Sequence, residues 1–164
     1  MKTIAIMVSS PTGGLGMDEN LPWFQLSIHI DNFEELAKDQ IVIVGSTSFN
    51  SHNYLRGAVT YVYSRTETFQ ETDTLKRISG EPEAIISELK AEYPDKNIII
   101  AGGLGVFEAF YDLIDEWRVT IVEEFVVFNK FINLTNIQYK WPNHRLVSTG
   151  QDLNQNFSTY SYTR

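Results

Sequence analysis

Three short stretches hold residue types suited to chemistry on phosphate groups: Gly45-Ser46-Thr47-Ser48, Ser64-Arg65 and Gly102-Gly103. Glycine lets a backbone come close to a diphosphate, and a helix that starts just after it offers free N–H groups and a positive dipole end. Serine and threonine hydroxyls donate to phosphate oxygens, and a guanidinium binds them through charge-assisted hydrogen bonds. Each stretch also has a plain reading as a tight turn or a helix cap. Gly102-Gly103 does not fit the G-x-G-x-x-G spacing of a dinucleotide fingerprint. Together the three suggest a nucleotide cofactor without saying which. Other constellations are missing from the sequence: there is no G-x-x-x-x-G-K-[ST] loop and no G-x-S-x-G elbow. His29, His52 and His144 are scattered without metal-ligand spacing, so no metal is expected. The carboxylates Glu34, Glu35, Asp112, Asp115 and Glu116 fall on helix faces or ends, where solvated charge is the default reading.

The elements that must position these stretches follow from periodicity. Ile41 to Val44 and Ile98 to Ala101 are continuous apolar runs, as expected of strands buried on both faces; Ile4 to Val8 reads as a buried first strand and Val59 to Tyr63 as another strand. Between them stand helical patterns. Ile30, Phe33, Leu36 and Ala37 form one stripe, and Val106, Phe107, Phe110, Leu113 and Ile114 another. A third, Ile85, Ile86, Leu89 and Tyr93, follows Glu81-Pro82-Glu83, which sets proline and acids in a first turn. Strand–helix alternation predicts an α/β domain with a mainly parallel sheet, whose ligands sit at the carboxyl ends of the strands. Trp117, Val119, Ile121, Phe125 and Val127 then alternate on one face. Arg145 to Thr149 and Phe157 to Tyr162 read as an antiparallel hairpin across Asp152 to Asn156. No repeat or linker interrupts the chain, so residues 1–164 are read as one domain.

Composition narrows the class. Hydrophobic residues at 43% can fill a core, which excludes wholesale disorder. With 13 basic against 21 acidic residues the net charge is −8, which argues against nucleic acid as a partner. The absence of cysteine excludes disulfides, thiolate zinc sites and a cysteine nucleophile, and fits a reducing cytoplasm. No apolar run approaches the ~18 residues of a membrane span. The first apolar run meets Pro11 and Gly13 too soon for a signal peptide, so a cytoplasmic protein is expected; its partner is taken to be a small-molecule substrate and its state a monomer. Two glycosylation-type triplets, at Asn133 and Asn156, are read as chance.

Three blocks carry a family resemblance: Gly16-Met17-Asp18-Glu19-Asn20-Leu21-Pro22-Trp23, Ile43 to Phe49, and Ile100 to Phe107. In order and spacing they resemble dihydrofolate reductase, from the first strand to the C-terminal hairpin. The resemblance implies that family's fold: a single-domain, central mixed but mainly parallel sheet with helices on both faces and an antiparallel C-terminal hairpin. It implies NADPH as cofactor and 7,8-dihydrofolate as substrate, reduced by hydride transfer to C6. On the cofactor side it assigns Leu15, Gly16, Asn20 and Leu21 to a loop closing over the nicotinamide, a task for which glycine supplies freedom. Gly102 and Gly103, with Leu104, Gly105, Val106 and Phe107, would hold the diphosphate. Gly45, Ser46, Thr47 and Ser48 would form a second phosphate anchor, and Ser64 with Arg65 would take the adenosine 2′-phosphate. Val8 and Ala101 would flank nicotinamide and pterin. On the substrate side Ile6 would lie beneath the pterin, Phe33 would pack on it, and Ile30, Leu55 and Phe107 would wall it. Trp23 would hold a water, and Thr120 would supply a hydroxyl to the polar network.

The sequence departs from the family at several of these places. Many members carry a cation where Ser46 stands, which predicts a weaker preference for NADPH over NADH. The family's buried acid, four residues before the aromatic at Phe33, is replaced by His29; counted forward from Trp23 the place falls on Ile28. Asp31, two residues after His29, lies about 200° around a helix and on the wrong face. A neutral imidazole has one donor and one acceptor, so it cannot reproduce two charge-assisted bonds worth about 1.5–3 kcal/mol each. His29 is then either a direct proton donor, with a reference pKa near neutrality, or an ordinary helix residue. Ala58 stands where the family places arginine for the folate glutamate, with Arg56 two residues earlier, and His52 replaces an apolar wall. Tyr61 to Thr66 and Leu113 to Glu116 also resemble the reductase domains of riboflavin synthesis. Three readings stay open: a dihydrofolate reductase, a reductase of another pterin or pyrimidine on the same scaffold, and an inactive NADPH-binding paralogue.

Overall fold

Four apolar runs of the sequence lie side by side as the parallel heart of one sheet. The computed structural model describes residues 1–16, 27–51, 55–123, 130–152 and 155–164. In chain order these form β1 (Thr3–Ser9), β2 (Gly14–Gly16), α1 (Ser27–Ala37), β3 (Ile41–Gly45), α2 (Ser46–Ser51), β4 (Val59–Tyr63) and β5 (Leu75–Ile78). There follow α3 (Pro82–Glu92), β6 (Ile98–Ile100), α4 (Leu104–Phe110), β7 (Glu116–Val122), β8 (Lys130–Phe131), α5 (Leu134–Lys140), β9 (Asn143–Asp152) and β10 (Gln155–Thr163). Eight strands make the main sheet in the order β5-β4-β3-β6-β1-β7-β10-β9, while β2 and β8 pair apart from it. The pairings from β5 to β7 are parallel, and β10 runs against both β7 and β9.

Every residue of β1 and β3 is buried, which is why both read as unbroken apolar runs rather than as alternation. One face carries the larger core, with Ala5, Met7, Ile43, Ile100, Trp117 and Val119 packed beneath α3, α4 and α5. The other face packs Ile4, Ile6, Val42, Val44 and Ile99 against Phe33 and Ala37 of α1. Each fully buried isoleucine stabilises the fold by about 1.5–3 kcal/mol relative to exposure, so the sheet centre dominates the packing. Registers Ile43↔Ile100 and Gly45↔Tyr63 bring the ends of β3, β4 and β6 level with one another.

Several sequence expectations need correction. The helix over Val106 to Ile114 ends at Phe110 and tightens into a 3₁₀ turn, Tyr111–Leu113, because Ile114 is already extended on the way into β7. Strand β7 is covered on both faces rather than alternating, and it stops at Val122; Phe125 and Val127 lie outside the described residues. Glu116 is not solvated. It is 4% exposed, and Oε1 accepts from Ser161 Oγ at 2.7 Å and from Arg118 Nε. Burial pushes its carboxyl up, but the bonds from Ser161 and Arg118 and the charges of Arg118 and Lys2 outweigh this and hold it below the usual value. Strands β2, β5 and β8 and helix α5 were not anticipated.

Candidate cofactor and substrate site

Gly45 and Gly102 meet at the carboxyl end of the sheet. The Gly45 N–H donates to the Gly102 carbonyl at 2.7 Å, and the Ala101 N–H to the Ile43 carbonyl at 2.9 Å. A Cβ built on Gly45 would lie 3.0 Å from Val106 Cγ2, and one on Gly103 would lie 3.2 Å from Ser48 Oγ. The two stretches therefore form a single floor, across which Ser48 faces Gly103. Gly102 has φ +102, a region that glycine alone enters freely, with the Phe107 ring directly below it; the Gly102–Gly103 peptide is cis. The hydroxyls of Ser46, Thr47 and Ser48 have no protein partner among the described residues, and none of the three residues is buried.

The third stretch opens a neighbouring cleft of about 520 Å³ between the end of β4 and the start of α3, lined by Tyr63, Ser64, Arg65, Gly80, Pro82 and Ala109 among others. Ser64 Oγ accepts the N–H groups of Thr66 at 3.2 Å and Glu67 at 3.0 Å, which leaves its own hydrogen to donate outward. The Arg65 guanidinium is exposed and has no ion-pair partner among the described residues. Sequence reasoning missed Arg77, on β5. Its Nη1 donates to the carbonyls of Ser64 at 3.2 Å and Arg65 at 3.0 Å, bracing the turn and adding a second cation at this end of the sheet. No motif announces it. Only the pairing of β5 with β4 brings it there.

On the substrate side the structure gathers Ile6, Phe33 and Leu55 in one cluster with Ala101 packed against it. Val8 registers with Thr120, whose Oγ1 lies 2.8 Å from Thr159 Oγ1 in a buried hydroxyl pair. Ile30 is half-buried on α1. Phe107 does not join this group; it belongs to the opposite core, with its ring 5.7 Å from that of Trp117. Leu15 and Val106 are buried in that same core, and Leu104 packs against it. A Cβ on Gly105 would meet nothing within 4 Å. Gly16 pairs with Lys130 in the small sheet. Trp23, Asn20, Leu21 and His52 lie outside the described residues, as does the side chain of His29, whose backbone is in α1. Asp31 is exposed, as its helical position requires. The Arg56 guanidinium stacks 4.1 Å over the Phe49 ring and donates to the Leu55 carbonyl, and burial lowers its pKa. The Ala58 N–H donates to the Gln40 carbonyl at 2.8 Å.

The phosphate-suited stretches of this α/β protein converge at the carboxyl edge of its parallel strands, the edge at which open α/β sheets take their ligands. A sequence model of dihydrofolate reductase matches residues 2–164, and the chain belongs to that family of oxidoreductases. Among solved structures it is similar to dihydrofolate reductase from Enterococcus faecalis complexed with NADP(H) and RAB-propyl. The TM-score is 0.73 at 19% identity, over 99% of this chain and 96% of that one. No curated protein sequence matches the chain. Among the described residues no helix is long and apolar enough to cross a membrane.

Proposed function

We propose that the protein catalyses NADPH-dependent reduction of 7,8-dihydrofolate to tetrahydrofolate in the cytoplasm, as a monomer, in the service of one-carbon metabolism. The observation that carries this reading is the meeting of Gly45 with Gly102 at the carboxyl end of the sheet, where Arg65, just past the adjoining β4, has no ion-pair partner among the described residues. The residues present fit the cofactor. Gly102 and Gly103 would keep side chains out of the diphosphate's path, and Ser46, Thr47 and Ser48 offer hydroxyls without a protein partner among the described residues. Ser64 and Arg65 would bind the 2′-phosphate, with Arg77 bracing them in place of the cation missing at Ser46. Bound NADPH supplies the hydride. Ile6, Phe33 and Leu55 would hold the dihydropteridine flat and exclude water, with Val8 and Ala101 at its border. The proton for N5 would come by way of a water near Trp23 or from His29.

A second reading, a reductase of a pterin or pyrimidine without the glutamate tail, is favoured by one observation. Ala58 has no side-chain donor, and Arg56 lies over Phe49. NADPH consumption with dihydrofolate, run on the wild type beside His29→Asp, separates the readings. Turnover by the wild type with a pH-dependent rate supports His29 as donor. A silent wild type rescued by His29→Asp points to the other heterocycle, and silence in both with NADPH still bound points to an inactive paralogue.

A further inference from the structure

Between α1 and the β7–β10–β9 side of the sheet lies a cleft of about 330 Å³, a volume within the range of small-molecule sites. It shares Ile6 and Thr120 with the candidate substrate wall, and the rest of its lining lies outside that wall. Its lining includes the buried Thr120 and Thr159 together with the half-buried Asn32. The hydroxyl pair uses one hydrogen internally and leaves the other without an acceptor among the described residues. Asn32 Nδ2 is buried without a partner among the described residues, an unsatisfied donor that an arriving acceptor would relieve. Two residues from Thr120 on the same face of β7 stands Arg118, whose Nε is held by Glu116 while its Nη groups have no acceptor among the described residues. The inner cleft is thus rich in donors. Ile6, Leu36 and Val147 give it apolar walls, and the charges of Glu35 and Lys38 at the rim oppose each other.

We propose that this cleft binds a small carboxylate with an apolar body of about benzoate size. The carboxylate oxygens would take the free threonine hydrogen, Asn32 Nδ2 and an Arg118 Nη, and the body would lie against Ile6, Leu36 and Val147. The inference is independent of any catalytic activity. It is tested by titrating the intact protein with benzoate and, separately, with the neutral isostere benzamide. The readouts are the Asn32 side-chain amide and the methyls of Ile6, Val147 and Thr159 in NMR spectra. The expected result is saturable shifts confined to those groups, with benzamide weaker by about tenfold or more, the worth of one charge-assisted bond. Asn32→Leu and the isosteric Thr159→Val, each checked for native spectral dispersion, weaken benzoate to a similar degree. Absence of saturable shifts at the cleft overturns the proposal. So do equal binding of benzamide, unchanged binding by both folded variants, or shifts confined to the neighbourhood of Arg65.

Discussion

The two ends of the sheet put their polar groups to opposite uses. At the amino end, side chains close the protein's own backbone. Asn97 Oδ1 accepts the Lys2 N–H at 2.8 Å, Asp115 Oδ2 the Thr3 N–H at 2.8 Å, and Gln40 Oε1 the Asn97 N–H at 2.6 Å. Glu116 is held there by Ser161, Arg118 and Lys2. At the carboxyl end the comparable groups are left open: Ser46, Thr47, Ser48 and Arg65 have side chains with no protein partner among the described residues, and glycines take the places of side chains. Groups tied to backbone stabilise the fold, whereas groups left open are available to a ligand. Substitutions at the first end should therefore move stability, and those at the second should move binding.

The largest effect is expected from Glu116→Ala. Breaking a buried ion pair costs about 3–5 kcal/mol, and because Lys2 and Arg118 still reach solvent the lower figure is expected here. Urea denaturation should show that loss while the NADPH dissociation constant stays as in the wild type; a weakened constant would break the division of labour. The same carboxylate gives a pH dependence. Its folded pKa is depressed, so its stabilisation is complete above the unfolded value of about 4.3 and is lost as pH falls through the lower folded value. Glu116→Gln should flatten the acid limb of the stability–pH curve. An unchanged limb would mean that other carboxylates carry it.

Gly102→Ala tests the opposite end where backbone and ligand meet. At φ +102 a Cβ is strained and would lie 3.2 Å from the Phe107 ring, so a loss of about 1–3 kcal/mol in stability is expected. NADPH binding should weaken as well, which makes this the one substitution that moves both measurements. Arg65→Ala should move binding alone. Removing one charge-assisted contact lowers NADPH affinity by about tenfold to a hundredfold, with NADH affinity and the melting temperature unchanged. A fall in melting temperature without a change in affinity would reverse the assignment.

Much of this contrast was legible in the sequence on one side only. The open end is marked by the joint occurrence of glycines, hydroxyls and an arginine after three strands, although each stretch alone also reads as a tight turn or a helix cap: Gly45, Ser48 and Gly102 stand after β-branched runs in the sequence and at the carboxyl end of the sheet in the structure. The closed end does not. Glu116 looks like any charge near a helix end until the β7–β10 pairing brings Ser161 opposite Arg118. Strand β5 escaped because its two central residues, Lys76 and Arg77, are charged at a sheet edge and no apolar alternation marks it. Helix α5 is only 7 residues long, with Leu134 and Ile137 as its buried positions. Its clearest signal was Asn133, passed over as part of a chance triplet, whose side chain caps the helix by accepting the Asn136 N–H at 2.9 Å. The resemblance sets Phe107 both at the diphosphate and on the pterin wall, whereas its ring packs in a different core cluster from Phe33, a distinction that helical periodicity does not draw.

Arg77 gives the smallest effect and the sharpest test, since it stands at the open end yet behaves like a residue of the closed one. Its Nη1 is occupied by the carbonyls of Ser64 and Arg65, so its expected role is to hold Arg65 in place. An exposed hydrogen bond to a neutral carbonyl contributes about 0.5–1.5 kcal/mol, so Arg77→Ala should weaken NADPH by about threefold to tenfold and leave NADH unaffected. A double-mutant cycle separates bracing from direct contact. If Arg77 acts through Arg65, removing it from the Arg65→Ala protein changes nothing further. If the two losses add, Arg77 meets the phosphate itself, and the division between the ends of the sheet runs through a single side chain rather than between strands.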